Sequence, residues 1–155
     1  MRERNARIAV VVVDLFAAVS ALAGAVGLVV GYMKIPLSTL HGTPFADFTI
    51  PALLLGFVVG GSALAAGLIA MFGPRKGARL EPWRFDALTT AAAGCVMVGW
   101  MIGEFILIGV GVWVQVAYLV VGLVMIGLAG LLQRAESRQS TQHIGAVSHR
   151  RHATA

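Results

Sequence analysis

The chain has 155 residues, of which 58% are hydrophobic and only 12% are charged, and its mean hydropathy is +0.85. Since soluble domains carry about 25% charged residues, this composition excludes a soluble enzyme, a disordered protein and a disulfide-rich secreted domain. A small integral membrane protein is what remains.

Two long runs with almost no charge predict the first two membrane-spanning helices. Residues 8–33 contain one charged residue, Asp14, and residues 48–74 contain none. A helix needs about 20 apolar residues to cross the hydrocarbon core of a bilayer. Each run is therefore predicted to form one span, at about 8–33 and 49–72.

A third run is too long for a single span. Residues 87–133 contain one charged residue, Glu104. As one helix they would be about 70 Å long, more than twice the thickness of the hydrocarbon core. We expect the run to fold back at 109–115, where two glycines permit a turn, which predicts spans at about 87–108 and 116–133.

These segments predict an all-α fold, an integral membrane four-helix bundle in one domain of residues 1–133. A barrel is disfavoured because apolar and polar residues do not alternate along the runs. Residues 134–155 are polar and basic without periodicity, which predicts a disordered basic cytoplasmic tail.

The basic residues predict the orientation of the spans. Eleven of them lie before the first span, between the second and third, or after the fourth: Arg2, Arg4, Arg7, Arg75, Lys76, Arg79, Arg84, Arg134, Arg138, Arg150 and Arg151. On the opposite side there is only Lys34. The positive-inside rule then predicts a plasma-membrane protein with both termini in the cytoplasm. These charges suit lipid headgroups, so the bilayer and not a nucleic acid is the expected partner.

The N-terminal segment also has an alternative interpretation. Ala21-Leu22-Ala23 resembles the cleavage site of a signal peptide. The apolar run continues for ten residues beyond Ala23, which favours a retained signal anchor. The single cysteine, Cys95, excludes an intramolecular disulfide and CxxC redox chemistry.

Small residues recur at steps of three and four along the spans and predict helix–helix contacts. They are Ala17, Ala21, Gly24 and Gly31 in the first span, Gly56, Gly60, Ala63 and Gly67 in the second, and Gly99 and Gly103 in the third. Asp14 shares the face of the first set, so its carboxylate is expected to point into the bundle. An ion pair with Arg7 or Arg84 is the expected role of this intramembrane acid, with a proton relay as the alternative.

Glu104 is the stronger candidate for a functional acid, because an ionisable group inside a span is costly and is a functional candidate by default. It lies in the predicted outer leaflet, one helical turn from Trp100. One interpretation is a carboxyl group that bonds to Trp113, Gln115 or Tyr118 and has a structural role. The other is a ligand or proton site; the candidate ligand-binding residues are Glu104, Trp100, Gln115, Tyr118, His41 and Asp47.

Other chemistry has no support in the sequence. No histidine lies within a span, and there is no phosphate loop, metal-binding cluster or nucleophile–histidine–acid set. We therefore predict no catalytic residues, no metal and no cofactor.

Two segments resemble uncharacterised bacterial four-helix membrane proteins. The first is Pro36-Leu37-Ser38…Gly42-Thr43-Pro44-Phe45-Ala46-Asp47-Phe48-Thr49-Ile50-Pro51 with Val59-Gly60-Gly61, and the second is Trp100–Glu104 with Trp113…Gln115…Tyr118. The resemblance covers about Ile35–Gly122. It implies a four-helix fold and no particular activity.

The expected function is that of a small non-enzymatic membrane protein, an accessory subunit or interaction module that binds itself or another membrane protein. The first alternative is a small transporter or channel with an outer-leaflet site around Glu104. The second is a lipid-modifying enzyme at the outer surface that uses His41 and Asp47.

Overall fold

The computed structural model describes residues 3–32, 34–73, 82–107 and 113–152. This part of the chain contains four long helices and no strand: α1 (Glu3–Val29), α2 (Thr49–Phe72), α3 (Pro82–Leu107) and α4 (Trp113–His152). All four are long and apolar enough to cross a membrane. The predicted all-α class is therefore confirmed, and the number of helices able to span a membrane equals the predicted four.

Helix α1 ends four residues earlier than predicted, at Val29 and not at residue 33. Gly31 has a φ of +68°, a left-handed conformation that glycine adopts without steric cost. The Tyr32 N–H donates to the Gly27 carbonyl oxygen at 3.0 Å, and the Gly31 N–H donates to the Leu28 carbonyl oxygen at 3.3 Å. This pair of bonds is a Schellman motif, which ends the helix although apolar residues continue beyond it.

Helix α2 has the bounds that the sequence predicts, but its middle is wider than an α-helix. Residues Leu54–Gly60 form a π-helical segment between two α-helical ones, Thr49–Leu53 and Gly61–Phe72. The segment packs closely on α1, since a Cβ on Gly56 would stand 3.1 Å from the Ala25 Cβ. The extra residue in this turn changes which side chains face α1 before and after it.

The third and fourth spans form the predicted hairpin with different bounds. Helix α3 begins at Pro82 and ends at Leu107, and α4 begins at Trp113, so Trp113–Gln115 form its first turn and are not part of the loop. The remainder of the predicted turn, 108–112, lies outside the described residues.

Helix α4 also differs from the sequence prediction at its other end. It continues to His152, so most of the segment expected to be a disordered tail is helical in the structure. The continuation has no proline and only one glycine, Gly145, and it is rich in the helix-forming residues Ala, Arg, Gln and Glu. The lack of apolar periodicity in this segment indicates that no face of it is buried, but it does not exclude a helix.

Small side chains form the interior and large ones form the surface. One buried cluster contains Ala17, Ala18, Ala21, Val59, Ala63, Ala66, Ala93, Met97 and Met125, and a second contains Ala6, Val10, Ala70, Ala87, Ala129 and Leu132. Many valine, leucine and phenylalanine side chains are exposed instead. This distribution is typical of helices that contact each other through small residues and face lipid with large ones.

Most predicted packing residues lie at helix contacts. Ala17, Ala21 and Ala63 are in the first buried cluster, and a Cβ added to Gly24, Gly56, Gly60 or Gly67 would stand 3.0–3.3 Å from a side chain of the neighbouring helix. Gly31 is in the turn after α1. A Cβ on Gly99 or Gly103 would have nothing within 4 Å.

The close contact between α3 and α4 lies at two glycines outside the predicted packing set. A Cβ on Gly94 would stand 2.9 Å from the Gly122 carbonyl oxygen, and one on Gly122 would stand 2.9 Å from Val98 Cγ2. Gly99 and Gly103 therefore lie on a different face of α3 from the one that packs on α4.

Candidate functional site

The described side chains form two polar groups in the interior of the bundle. The first, called here the Asp14 cluster, consists of Arg7, Asp14, Asp86 and Thr90. The second, called the Glu104 group, consists of Trp100, Glu104 and Gln115. The two groups are far apart, since Thr90 and Glu104 are separated by about 21 Å along α3 at 1.5 Å per residue.

Asp14 lies in the centre of the bundle and bonds to a residue from α3. The Thr90 hydroxyl donates to Asp14 Oδ2 at 2.8 Å, and both residues are 0% exposed. Helix α2 approaches from a third side, because a Cβ on Gly67 would stand 3.4 Å from the Asp14 Cβ. Asp14 thus faces the bundle, but its bond is to Thr90 and not to the arginine that the sequence suggested.

Arg7 pairs with Asp86 instead. Its guanidinium Nη2 lies 3.3 Å from Asp86 Oδ2, and its Nε donates to the Ala70 carbonyl oxygen at 2.7 Å. The expected Arg7–Asp14 pair is therefore wrong in this structure; the second expected partner, Arg84, has a side chain outside the described part. The reason is geometric: Arg7 and Asp14 lie two helical turns apart, whereas Asp86 lies beside Arg7 on the neighbouring helix.

Two oxygens of the Asp14 cluster have no hydrogen-bond partner among the residues that the structure describes. They are Asp14 Oδ1 and Asp86 Oδ1, both of which are buried. An unsatisfied buried polar atom costs about 1–3 kcal/mol, and more if the group is charged. The cluster thus lowers the stability of the folded protein, which makes it a candidate for function.

Asp86 and Thr90 are members of this cluster that were not predicted from the sequence. A signal was present, because Asp86 and Thr90 lie four residues apart on one face of α3 while Arg7 and Asp14 lie seven apart on one face of α1. Two polar pairs in register on different spans are consistent with contact between those spans.

The Glu104 group brings together three of the predicted site residues. The Trp100 indole N–H donates to Glu104 Oε1 at 2.7 Å, and the Gln115 side chain also forms a hydrogen bond with Glu104. Gln115 belongs to the first turn of α4, so these bonds join the two helices beside their connection. Tyr118 is half-buried against the first hydrophobic cluster.

The other two predicted site residues lie in the loop between α1 and α2. His41 and Asp47 are both exposed. Asp47 Oδ1 accepts the Thr49 backbone N–H at 2.8 Å, so this carboxylate stabilises the start of α2. The described contacts of Glu104 include neither of them.

A cavity of about 90 Å³ lies beside the same loop. Its lining residues are Gly27, Leu28, Gly31, Lys34, Ile35 and Phe48. Neither the Asp14 cluster nor the Glu104 group contributes to this lining, so this cavity does not reach either group.

The described residues contain no group of three or more His, Cys, Asp and Glu side chains that could hold a metal ion. Comparisons of the chain with protein-family models, curated proteins and solved structures found no match. The resemblance to bacterial four-helix membrane proteins therefore stays a prediction.

Proposed function

We propose that the chain is a small non-enzymatic protein of the plasma membrane that functions by association, and that the outer face of α3 is its binding surface. Its partner is a second copy of the chain or a helix of another membrane protein. Both termini lie in the cytoplasm in this proposal, as the distribution of arginine and lysine favours.

The observation that carries the proposal is an unused stripe of small residues on α3. Cys95, Gly99 and Gly103 follow one another at four-residue steps, and Cys95 and Gly99 are exposed. A Cβ on either glycine would meet nothing within 4 Å. The equivalent glycines of α2 are covered by α1, so the stripe on α3 differs from them in having no partner in the described part of the chain.

A stripe of this kind favours a contact between helices in a bilayer. Lipid offers no hydrophobic drive for association, so spans associate where small residues let two backbones approach closely. Gly99 and Gly103 give a flat surface about 6 Å long on which a second helix can pack. Leucine or valine at these positions would serve equally well against lipid.

The Glu104 group supports this proposal by giving the acid a structural role. Both described donors to Glu104 belong to the chain itself, Trp100 within α3 and Gln115 on α4. These bonds hold α3 and α4 together close to their connection and set the orientation of the α3 outer face.

Oxidative crosslinking of Cys95 tests the proposal. The residue is the only cysteine of the chain and is exposed next to the stripe, so it reports directly on contact between two α3 helices. We expect copper-phenanthroline treatment of native membranes to produce a disulfide dimer of the full chain. Gly99→Leu should reduce the dimer at least tenfold, because the leucine prevents the close approach.

The matched control is Gly127→Leu in α4. Gly127 is also exposed, and a Cβ on it would meet nothing within 4 Å, so this substitution adds the same side chain outside the stripe. Its dimer yield should equal that of the wild type. Equal yields from Gly99→Leu and Gly127→Leu would contradict the proposal for self-association. The wild type could instead form no dimer but a crosslink to another membrane protein. If Gly99→Leu removes that crosslink, the partner is a helix of the other protein.

A second candidate function, transport through a site around Glu104, has one observation in its favour. Glu104 and Trp100 are only half-buried, so the carboxylate is not sealed inside the bundle. This function predicts that Glu104→Gln abolishes ion or solute flux in proteoliposomes while thermal stability changes little. A loss of stability without a change in flux would leave only the structural role.

A further inference from the structure

The Asp14 cluster contains one more acid than it can neutralise. Its described charged side chains are Arg7, Asp14 and Asp86. The Arg7 guanidinium is occupied by Asp86 Oδ2 and by the Ala70 carbonyl oxygen. Asp14 receives only the neutral hydroxyl of Thr90, on Oδ2.

Among the described side chains, the surrounding helices supply no other cation to Asp14. Helix α2 presents Gly67 and Ala70 here, and residues 48–74 contain no charge. Helix α4 presents apolar side chains such as Ala129, and its first charged residue is the exposed Arg134. From α1 and α3 the described charged groups that face the cluster are Arg7 and Asp86, which already form a pair.

We propose that Asp14 binds a proton on its free oxygen, Oδ1, and that this proton exchanges with water at the end of the bundle where Arg7 lies. A hydronium ion gives up the proton, one O–H bond forms on Oδ1, and one water molecule is released. The carboxylate becomes a neutral carboxylic acid, and the hydrogen bond from Thr90 to Oδ2 is retained. This site goes beyond the association proposed above and does not depend on it.

The burial of Asp14 favours a proton over an ionised carboxylate with no counter-charge. An unpaired charge in a dry interior costs far more than a neutral group that lacks one hydrogen bond. A metal ion is disfavoured because Ca²⁺ and Mg²⁺ need six or more oxygen ligands, whereas Asp14 has one free oxygen.

Arg7 is the most exposed member of the Asp14 cluster. The Arg7 side chain is 32% exposed, and its partner Asp86 is buried directly behind it. Asp86 lies one turn of α3 from Thr90, about 6 Å along the helix. The Arg7–Asp86 pair therefore lies at the exposed end of the cluster, and water would reach Asp14 past this pair.

Infrared difference spectroscopy of the reconstituted full-length protein tests the proposal. A protonated carboxyl group has a carbonyl stretching band distinct from those of amides and carboxylates. We expect such a band in the wild type at neutral pH and its loss at alkaline pH. Asp14→Asn should remove it, whereas Glu104→Gln, the control at the other intramembrane acid, should retain it. Retention of the full band in Asp14→Asn would overturn the proposal.

A second pair of variants keeps the test decisive if Asp14→Asn does not fold. Thr90→Val removes the hydroxyl that donates to Oδ2, so the band should move to higher wavenumber. Thr90→Ser keeps a hydroxyl and should leave the band close to its wild-type position. Identical band positions in the two Thr90 variants would overturn the assignment to Asp14. The proposal would also be overturned, in favour of a cation site, by a sodium-dependent gain in stability. In that case the wild type would be more stable in sodium than in choline, and Asp14→Asn would not.

Discussion

Replacement of Arg7 by methionine should destabilise the bundle more than removal of any other single charge near the protein surface. The substitution removes the ion pair with Asp86 and the hydrogen bond to the Ala70 carbonyl oxygen, which are 3.3 Å and 2.7 Å long. It leaves the buried Asp86 carboxylate without its described counter-charge. Methionine has a similar length and keeps most of the apolar contact of the arginine stem.

The magnitude follows from the burial of the two partners. Breaking a buried ion pair by removal of one partner costs about 3–5 kcal/mol. Because 32% of the Arg7 side chain is exposed, solvent screens part of the charge and reduces the cost below that range, to about 2–3 kcal/mol. Arg4→Met is the control, since Arg4 lies one turn earlier on α1 and is exposed. Its effect should stay within about 0.5 kcal/mol.

The assay is a double-mutant cycle. The reversible unfolding of each purified variant in detergent is monitored by circular dichroism. The double variant Arg7→Met/Asp86→Leu removes both charges, so it should be more stable than the sum of the two single variants implies. A coupling of about 1–3 kcal/mol is expected for two groups in direct contact. Strict additivity, or equal effects of Arg7→Met and Arg4→Met, would refute the assignment of this pair as a stabilising contact.

Two further predictions concern the α3–α4 hairpin. Gly94→Ala should destabilise the protein by about 1–3 kcal/mol, because its Cβ would stand 2.9 Å from the Gly122 carbonyl oxygen and the two backbones must separate. Gly127→Ala, where space is free, should be neutral or slightly stabilising in the same unfolding assay; equal effects would contradict the contact. Trp100→Phe keeps the ring and removes the N–H donor to Glu104, so a loss of about 1.5–3 kcal/mol is expected. Restoration of wild-type stability by adding Glu104→Gln would show an uncompensated charge as the cause, whereas no loss in Trp100→Phe would mean that the bond contributes nothing.

The sequence by itself determined the number and class of the elements. Charged residues cannot remain in the hydrocarbon core without high cost, so the long uncharged runs locate the spans whatever their packing. The bounds of α2 follow for the same reason. The sequence also singled out Asp14 and Glu104, because an acid is conspicuous against an apolar background.

Helix ends were less predictable, since hydropathy does not report backbone conformation. Helix α1 stops at Val29 because Gly31 adopts a left-handed conformation, although Tyr32 and its neighbour are apolar. Helix α4 continues past Gln133 for the opposite reason, because the polar residues that follow are good helix formers.

Only the tertiary structure decided which residues meet. The Asp14–Thr90 bond joins residues 76 positions apart, and the Arg7–Asp86 pair likewise joins α1 to α3. Helical periodicity identifies the face on which a residue lies but not the helix that the face contacts. The rotation of α3 about its axis decides that Gly94 packs on α4 while Gly99 stays uncovered, and this rotation is set by the side chains of all four helices together.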